Sequence, residues 1–218
     1  MRGCLVRSRM NPLLMLLMLC SGSLVASVPA LAADECQPAE LFATDDTAAL
    51  PAADPPADDL TVFEWEADAT LTRTGAAVSG STLVDGVFWS DQSHQISTER
   101  SREFHLCVDD KSTLHTAAAA VRDQFHQQAV LTFVYLSPQA PEADAAILTV
   151  PDVDLARFRA AFAADATAQH RLLGGSVTTG DHTLILVAAD DDLDLARRLI
   201  AAAGGNSPAI AYGKREFV

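Results

Sequence analysis

One run of the chain restricts its fold more than any other. Between residues 143 and 213, six segments follow in the order strand, helix, strand, strand, helix, strand. Ala145-Ala146-Ile147-Leu148-Thr149-Val150 is a short apolar run without helical spacing, stopped by Pro151, and reads as a strand. Pro151-Asp152 opens a helix whose Leu155, Phe158 and Phe162 make one apolar stripe. Asp152 is placed to cap its free N–H groups, with Asp154 in the first turn. Gly174-Gly175 reads as that helix's stop. Residues 176–179 and 182–187 flank Gly180-Asp181, whose glycine can take the positive φ of a tight hairpin. Asp190, Asp191 and Asp192 lead into a second helix with Leu195, Ala196, Leu199, Ile200 and Ala203 on its buried face. Gly204-Gly205 ends it, and residues 208–212 form the closing strand. Two right-handed β-α-β crossovers then interleave on one antiparallel sheet with helices on one face, a ferredoxin-like plan. The expected class is α+β.

The preceding half, residues 61–137, is expected to be a related but partial unit. Residues 61–72 alternate, with Phe63, Trp65, Ala67, Ala69 and Leu71 opposite Glu64, Glu66, Asp68 and Thr70, and read as a half-buried strand. Thr82-Leu83-Val84 begins a second strand that continues past Asp85-Gly86 to Val87-Phe88-Trp89. A third runs from Ile96 to Val108. A helix from about 113 to 126 carries Leu114, Ala118, Val121 and Phe125 on one side. Residues 129–136 are β-branched and aromatic, as in a strand buried on both faces. Residues 137–142, with two prolines, join the halves. Residues 33–60, rich in Ala, Asp and Pro, read as an acidic irregular arm.

The N-terminus reads as an export signal over residues 1–32. Arg2, Arg7 and Arg9 precede the apolar run Leu13 to Leu19, and Ala30-Leu31-Ala32 offers the small residues of a cleavage site. Ser21, Gly22 and Ser23 interrupt the run well short of the roughly 20 apolar residues of a membrane span. A lipoprotein reading, with Cys20 acylated, would place the bulky Leu19 where a small residue is wanted. Cleavage lowers the Lys and Arg count from 15 to 12 against 29 acids, leaving 186 residues of net charge −17. Such a balance argues against nucleic acid and anionic lipid as partners and predicts no membrane span after cleavage. Cys36 and Cys107 remain, most simply as a disulfide in an oxidising compartment. The chain is therefore expected to be exported, to the periplasm or beyond.

Residues 81–131 carry Thr82-Leu83-Val84-Asp85-Gly86, Trp89, Glu99-Arg100-Ser101, Arg122-Asp123 and Ala129-Val130-Leu131. In this pattern the chain resembles an uncharacterised family of small exported bacterial proteins. It departs from the family at Phe88, Thr98 and Phe125. The resemblance implies export and a fold, not a chemistry. Residues 182–212 are also loosely similar to the second half of peptidoglycan-binding domains of the sporulation-related type, although Ala188-Ala189 stand where a glycine-aromatic step belongs.

The candidate sites are few. Trp89 with Arg100 and Arg102 forms the one concentrated polar and aromatic group of the first half, a weak ligand-binding candidate that a surface salt-bridge ladder also explains. His94, His105, His115 and His126 recur at steps of 11, 10 and 11. On one helix His115 and His126 would stand about 16 Å apart, so these read as solvated or partly packed histidines, and no metal site is expected. Asp190, Asp192 and Asp194 resemble the start of a calcium loop, but Leu195 occupies the position of its glycine; helix capping accounts for the aspartates. No Gly-x-Ser-x-Gly or His-Glu-x-x-His occurs, so no catalytic residue and no cofactor is assigned. The reading is a non-enzymatic binding or cell-envelope module, with a cell-wall or protein partner. One alternative is the peptidoglycan-binding domain. Another is a secreted protease inhibitor or pro-segment using an exposed tail, residues 214–218. An enzyme of the dimeric α+β barrel kind would need a polar group in the sheet, for which Tyr135, His182 and Tyr212 are the candidates.

Overall fold

The computed structural model describes residues 36–45, 60–87 and 100–218. The first half contains β1 (Gln37–Ala43), α1 (Thr61–Arg73), β2 (Ala77–Val87), β3 (Arg100–Val108), α2 (Lys111–Gln124) and β4 (Leu131–Tyr135). The second contains β5 (Ala145–Val150), α3 (Leu155–Ala164), α4 (Ala166–Arg171), β6 (Gly174–Thr178), β7 (Leu184–Ala189), α5 (Leu193–Ala202) and β8 (Ala209–Phe217). Both halves follow the βαββαβ plan, with the first crossover of the second half divided into α3 and α4, and both order their strands fourth, first, third, second. The expected ferredoxin-like second half is thus present, and the first half is not partial but a complete copy of the same plan. Antiparallel pairing of β2 with β6 and of β4 with β8 closes the two sheets into one eight-stranded barrel.

Two corrections explain how the first half is completed. The supposed arm supplies β1, a central strand paired with both β3 and β4. Its Ala39, Leu41, Phe42 and Ala43 are buried, so the composition of residues 33–60 concealed a short apolar strand. Residues 61–72, expected as a strand, form α1. Phe63, Ala67 and Leu71 are every second member of the alternating set, and a spacing of four also fits one helix face. These three are buried, whereas Trp65 is 70% and Val62 66% exposed. The helix wins because Phe63 packs edge-on against Phe125 at 4.6 Å and Phe104 at 6.0 Å.

In the second half the helix begins later than expected. Asp154, not Asp152, is the cap, accepting from the Arg157 N–H at 2.9 Å. Gly174 and Gly175 stop no helix: they open β6, where Phe158 lies against Gly175 with no room for a Cβ. At the following hairpin the positive φ falls on His182 (55°) rather than Gly180. The buried face of α5 is as expected. However, Asp192 makes no side-chain cap and instead pairs with Arg171 at 2.7 Å. Residues 214–217, expected as a free tail, complete β8 in register with β4.

Alternation along the strands divides the apolar residues into three cores. One lies between the first sheet and α1–α2, and a second between the second sheet and α3–α5. The third fills the barrel lumen with Phe42, Val84, Leu131, Phe133, Ile147, Ile185 and Val187 among others. Strand β3 contributes nothing apolar to that lumen. Its Phe104, Leu106 and Val108 face the helices, so Glu103 and His105 point inward.

Candidate functional site

Glu40 sits between Ala39 and Leu41, which face the helices, and alternation therefore turns it into the lumen beside Phe42. Backbone register fixes its neighbours: Glu40 opposes His105 on β3 and Phe133 on β4, while Phe42 opposes Glu103. Three strands thereby gather Glu40, Glu103, His105 and Tyr135 on one side of the lumen, around the middle of β1.

Within the group, His105 Nδ1 lies 2.7 Å from Glu40 Oε2, and the Tyr135 hydroxyl donates to Glu40 Oε1 at 2.9 Å. The other ring nitrogen of His105, Nε2, lies 3.2 Å from Thr82 Oγ1. Glu40 thus holds two hydrogen bonds. Glu103, only 6% exposed, receives none among the described residues, although one oxygen of each carboxylate and one His105 nitrogen all lie within 4.8 Å of one another. His105 has 40% of its side chain exposed, so the group opens to solvent on the imidazole side.

The electrostatics follow from burial and proximity. Desolvation, aided by the charge of Glu40 and opposed by His105, pushes the Glu103 carboxyl up to about 7. The hydrogen bond to Glu40 raises the His105 imidazole above its ordinary value, against the pull of burial. Burial first, and then Glu40, hold the Tyr135 hydroxyl well above its usual range, so it stays protonated.

The residues singled out from the sequence are placed otherwise. Arg102, nearly buried, reaches Glu64 Oε2 at 3.0 Å and donates to Ser81 Oγ at 2.8 Å, tying β3 to α1 and β2. Arg100 pairs with Asp85 at 3.0 Å. Trp89 and His94 lie outside the described residues. Cys36 and Cys107 form the expected disulfide, Cα–Cα 5.3 Å, on the lumen-facing register of β3 two residues beyond His105. Of the three barrel candidates, Tyr135 belongs to the group. His182 is exposed at its hairpin, and Tyr212 packs on the outer core of the second half. Among the described residues, Glu40, Glu103 and His105 are the group whose possible metal-ligand atoms all lie within 4.8 Å of one another. From the sequence, His105 was expected to be a solvated or partly packed histidine and neither Glu40 nor Glu103 was a candidate, although Glu-x-His on an alternating strand and a lone acid inside Ala-Glu-Leu-Phe-Ala were signals for the group.

No family model matches the chain, and no curated protein does. Among solved structures, one similar chain is described as "putative glycine cleavage system transcriptional repressor". It is 13% identical, covers 84% of this chain and 98% of its own, and gives a TM-score of 0.27. That likeness is too slight to carry an argument about function. No helix among the described residues is long and apolar enough to cross a membrane.

Proposed function

We propose that the protein is an exported, non-enzymatic binding module that seats a small cationic ligand at the acidic group of its barrel lumen. One observation carries the reading: among the described residues, Glu40 and Glu103 bring two acids together in the lumen. Glu40 and Glu103 meet there on β1 and β3, while the corresponding strands β5 and β7 turn Ala145, Ile147, Ile185 and Val187 inward. Two carboxyl groups held close together at low exposure repel one another when ionised, and a positively charged guest relieves that cost. Export is supported by residues 1–32 and by the Cys36–Cys107 bond, which suits an oxidising compartment.

The test is a thermal-shift series on the purified protein with cations (divalent metal chlorides, alkylamines, guanidinium compounds) and anions of similar size. Cations should raise Tm in the native chain and lose that effect in Glu40→Gln/Glu103→Gln. At a hundredfold excess over Kd the stabilisation is about 2.7 kcal/mol. Equal shifts in the two proteins would overturn the reading. Mass spectrometry of the exported protein, with and without reductant, checks cleavage after Ala32 and the disulfide together.

A second reading, acid–base catalysis on a substrate reaching the same group from the exposed imidazole side, is favoured by the Glu103 carboxyl standing near 7. The inhibitor reading loses its premise, because residues 214–217 are part of β8 and not a free tail.

A further inference from the structure

The ligand class can be narrowed. Resting on the reading above, we propose that Glu40, Glu103 and His105 form a binding site for one first-row divalent transition metal, with Zn2+ as the reference ion. Two observations carry it. The first is geometric: one imidazole nitrogen and two carboxylate oxygens from adjacent strands already lie within 4.8 Å of one another. Ligands about 2.0–2.2 Å from zinc stand roughly 3.3–3.6 Å apart in a tetrahedron, so the group closes around an ion by side-chain rotation of about an ångström. The second is Glu103, a residue only 6% exposed that stands on the lumen side of β3 beside Glu40 and His105 and whose carboxylate makes no hydrogen bond among the described residues.

The surroundings are those a metal site needs. Thr82 Oγ1 beside His105 Nε2 fixes the ring and leaves Nδ1 toward the carboxylates. Tyr135 orients Glu40 through its other oxygen, Oε1. Such outer hydrogen bonds set ligand orientation and tautomer. His105 Nδ1 and Glu40 Oε2, at 2.7 Å, are closer than two ligands of one ion. The ion therefore takes the place of the proton between them and draws Glu103 in. Three protein ligands leave a position for water on the exposed imidazole side.

The donor set also selects. Two carboxylates and an imidazole suit Zn2+, Mn2+ or Fe2+, whereas Cu(I) and iron–sulfur clusters want thiolates. Cys36 and Cys107 are joined to each other and supply none. Calcium asks for six to eight oxygens, more than this group offers.

Titration calorimetry of the chelator-stripped full chain, disulfide intact, with ZnCl2 and MnCl2 tests the site. One ion per chain is expected, with affinity falling at least a hundredfold in Glu103→Gln and in His105→Gln and unchanged in His115→Ala. Circular dichroism of each variant establishes that it is folded, and the near-isosteric Glu103→Gln decides the matter if His105→Gln unfolds. Binding that persists in both variants, or that disappears in His115→Ala, would assign the metal to surface histidines and overturn the proposal. Failure of both metals, with alkylamine binding that depends on Glu40 and Glu103, would overturn the metal while leaving the cation-binding reading intact. If no cation distinguishes native from variant chains, both fall.

Discussion

Replacing Glu103 by Gln should stabilise the ion-free protein, and by an amount set by pH. The folded carboxyl stands at about 7 against an ordinary 4.5, a gap of roughly two and a half pH units. At about 1.4 kcal/mol per unit, keeping this group ionised in the fold costs about 3 kcal/mol. Because the folded value is raised, the native state binds the proton more tightly than the unfolded chain. Its contribution is fully favourable below about pH 4.5, declines as pH rises toward about 7, and is lost above that. Glutamine has the same shape and no such penalty. Glu103→Gln should therefore match the native protein near pH 4.5 and exceed it by about 3 kcal/mol at pH 8, or about 6–12 °C in Tm for a chain of this size. His105, also raised, loses its contribution in the same direction as pH rises through its folded value, and part of its elevation comes from Glu103. Repeating the comparison in a His105→Gln background isolates the carboxyl. Urea titrations followed by circular dichroism at pH 4.5, 6 and 8, in the presence of chelator, give the three differences. A difference that does not change with pH, or one that favours the native protein more as pH rises, would refute the reasoning.

Three further outcomes follow from the packing. Removing the disulfide with Cys36→Ser/Cys107→Ser releases a tie across 71 residues, so chemical denaturation should show a loss of about 4 kcal/mol. Amide exchange should rise first in β1. Gly213→Ala would place a Cβ 2.1 Å from the Val134 carbonyl and 2.5 Å from the Phe133 ring; a loss of about 2 kcal/mol or more is expected, whereas Gly180→Ala, with nothing within 4 Å, should stay within about 0.5 kcal/mol. Asp154→Ala removes the cap of α3 and should cost about 1 kcal/mol by thermal denaturation.

The second half was legible because its elements obey one period at a time. The run of β5 contains no helical spacing, and Leu195, Ala196, Leu199, Ile200 and Ala203 on α5 have no strand alternative. Residues 61–71 satisfied both periods, and only contacts with Phe104 and Phe125, distant in sequence, decide between them. β1 was hidden for a different reason: five apolar-leaning residues around Glu40 lay inside a stretch whose proline and aspartate content dominated its average. Losing β1 meant losing the site, since Glu40 acquires its meaning only when β1 lies between β3 and β4. Glu103 and His105 were visible as residues, but their inward direction depends on which face of β3 the helices cover. Arg102 drew attention by its charge, and the fold uses that charge to hold α1 in place.

Carrying both units on one chain frees the barrel from an equivalence that two identical subunits would impose. A homodimer of the first unit would repeat at one mouth whatever the other displayed, and every acid would arrive in duplicate. With the repeat broken, the two units need not match, and the acids of the first can be retuned residue by residue while Ala145, Ile147, Ile185 and Val187 of the second stay aliphatic.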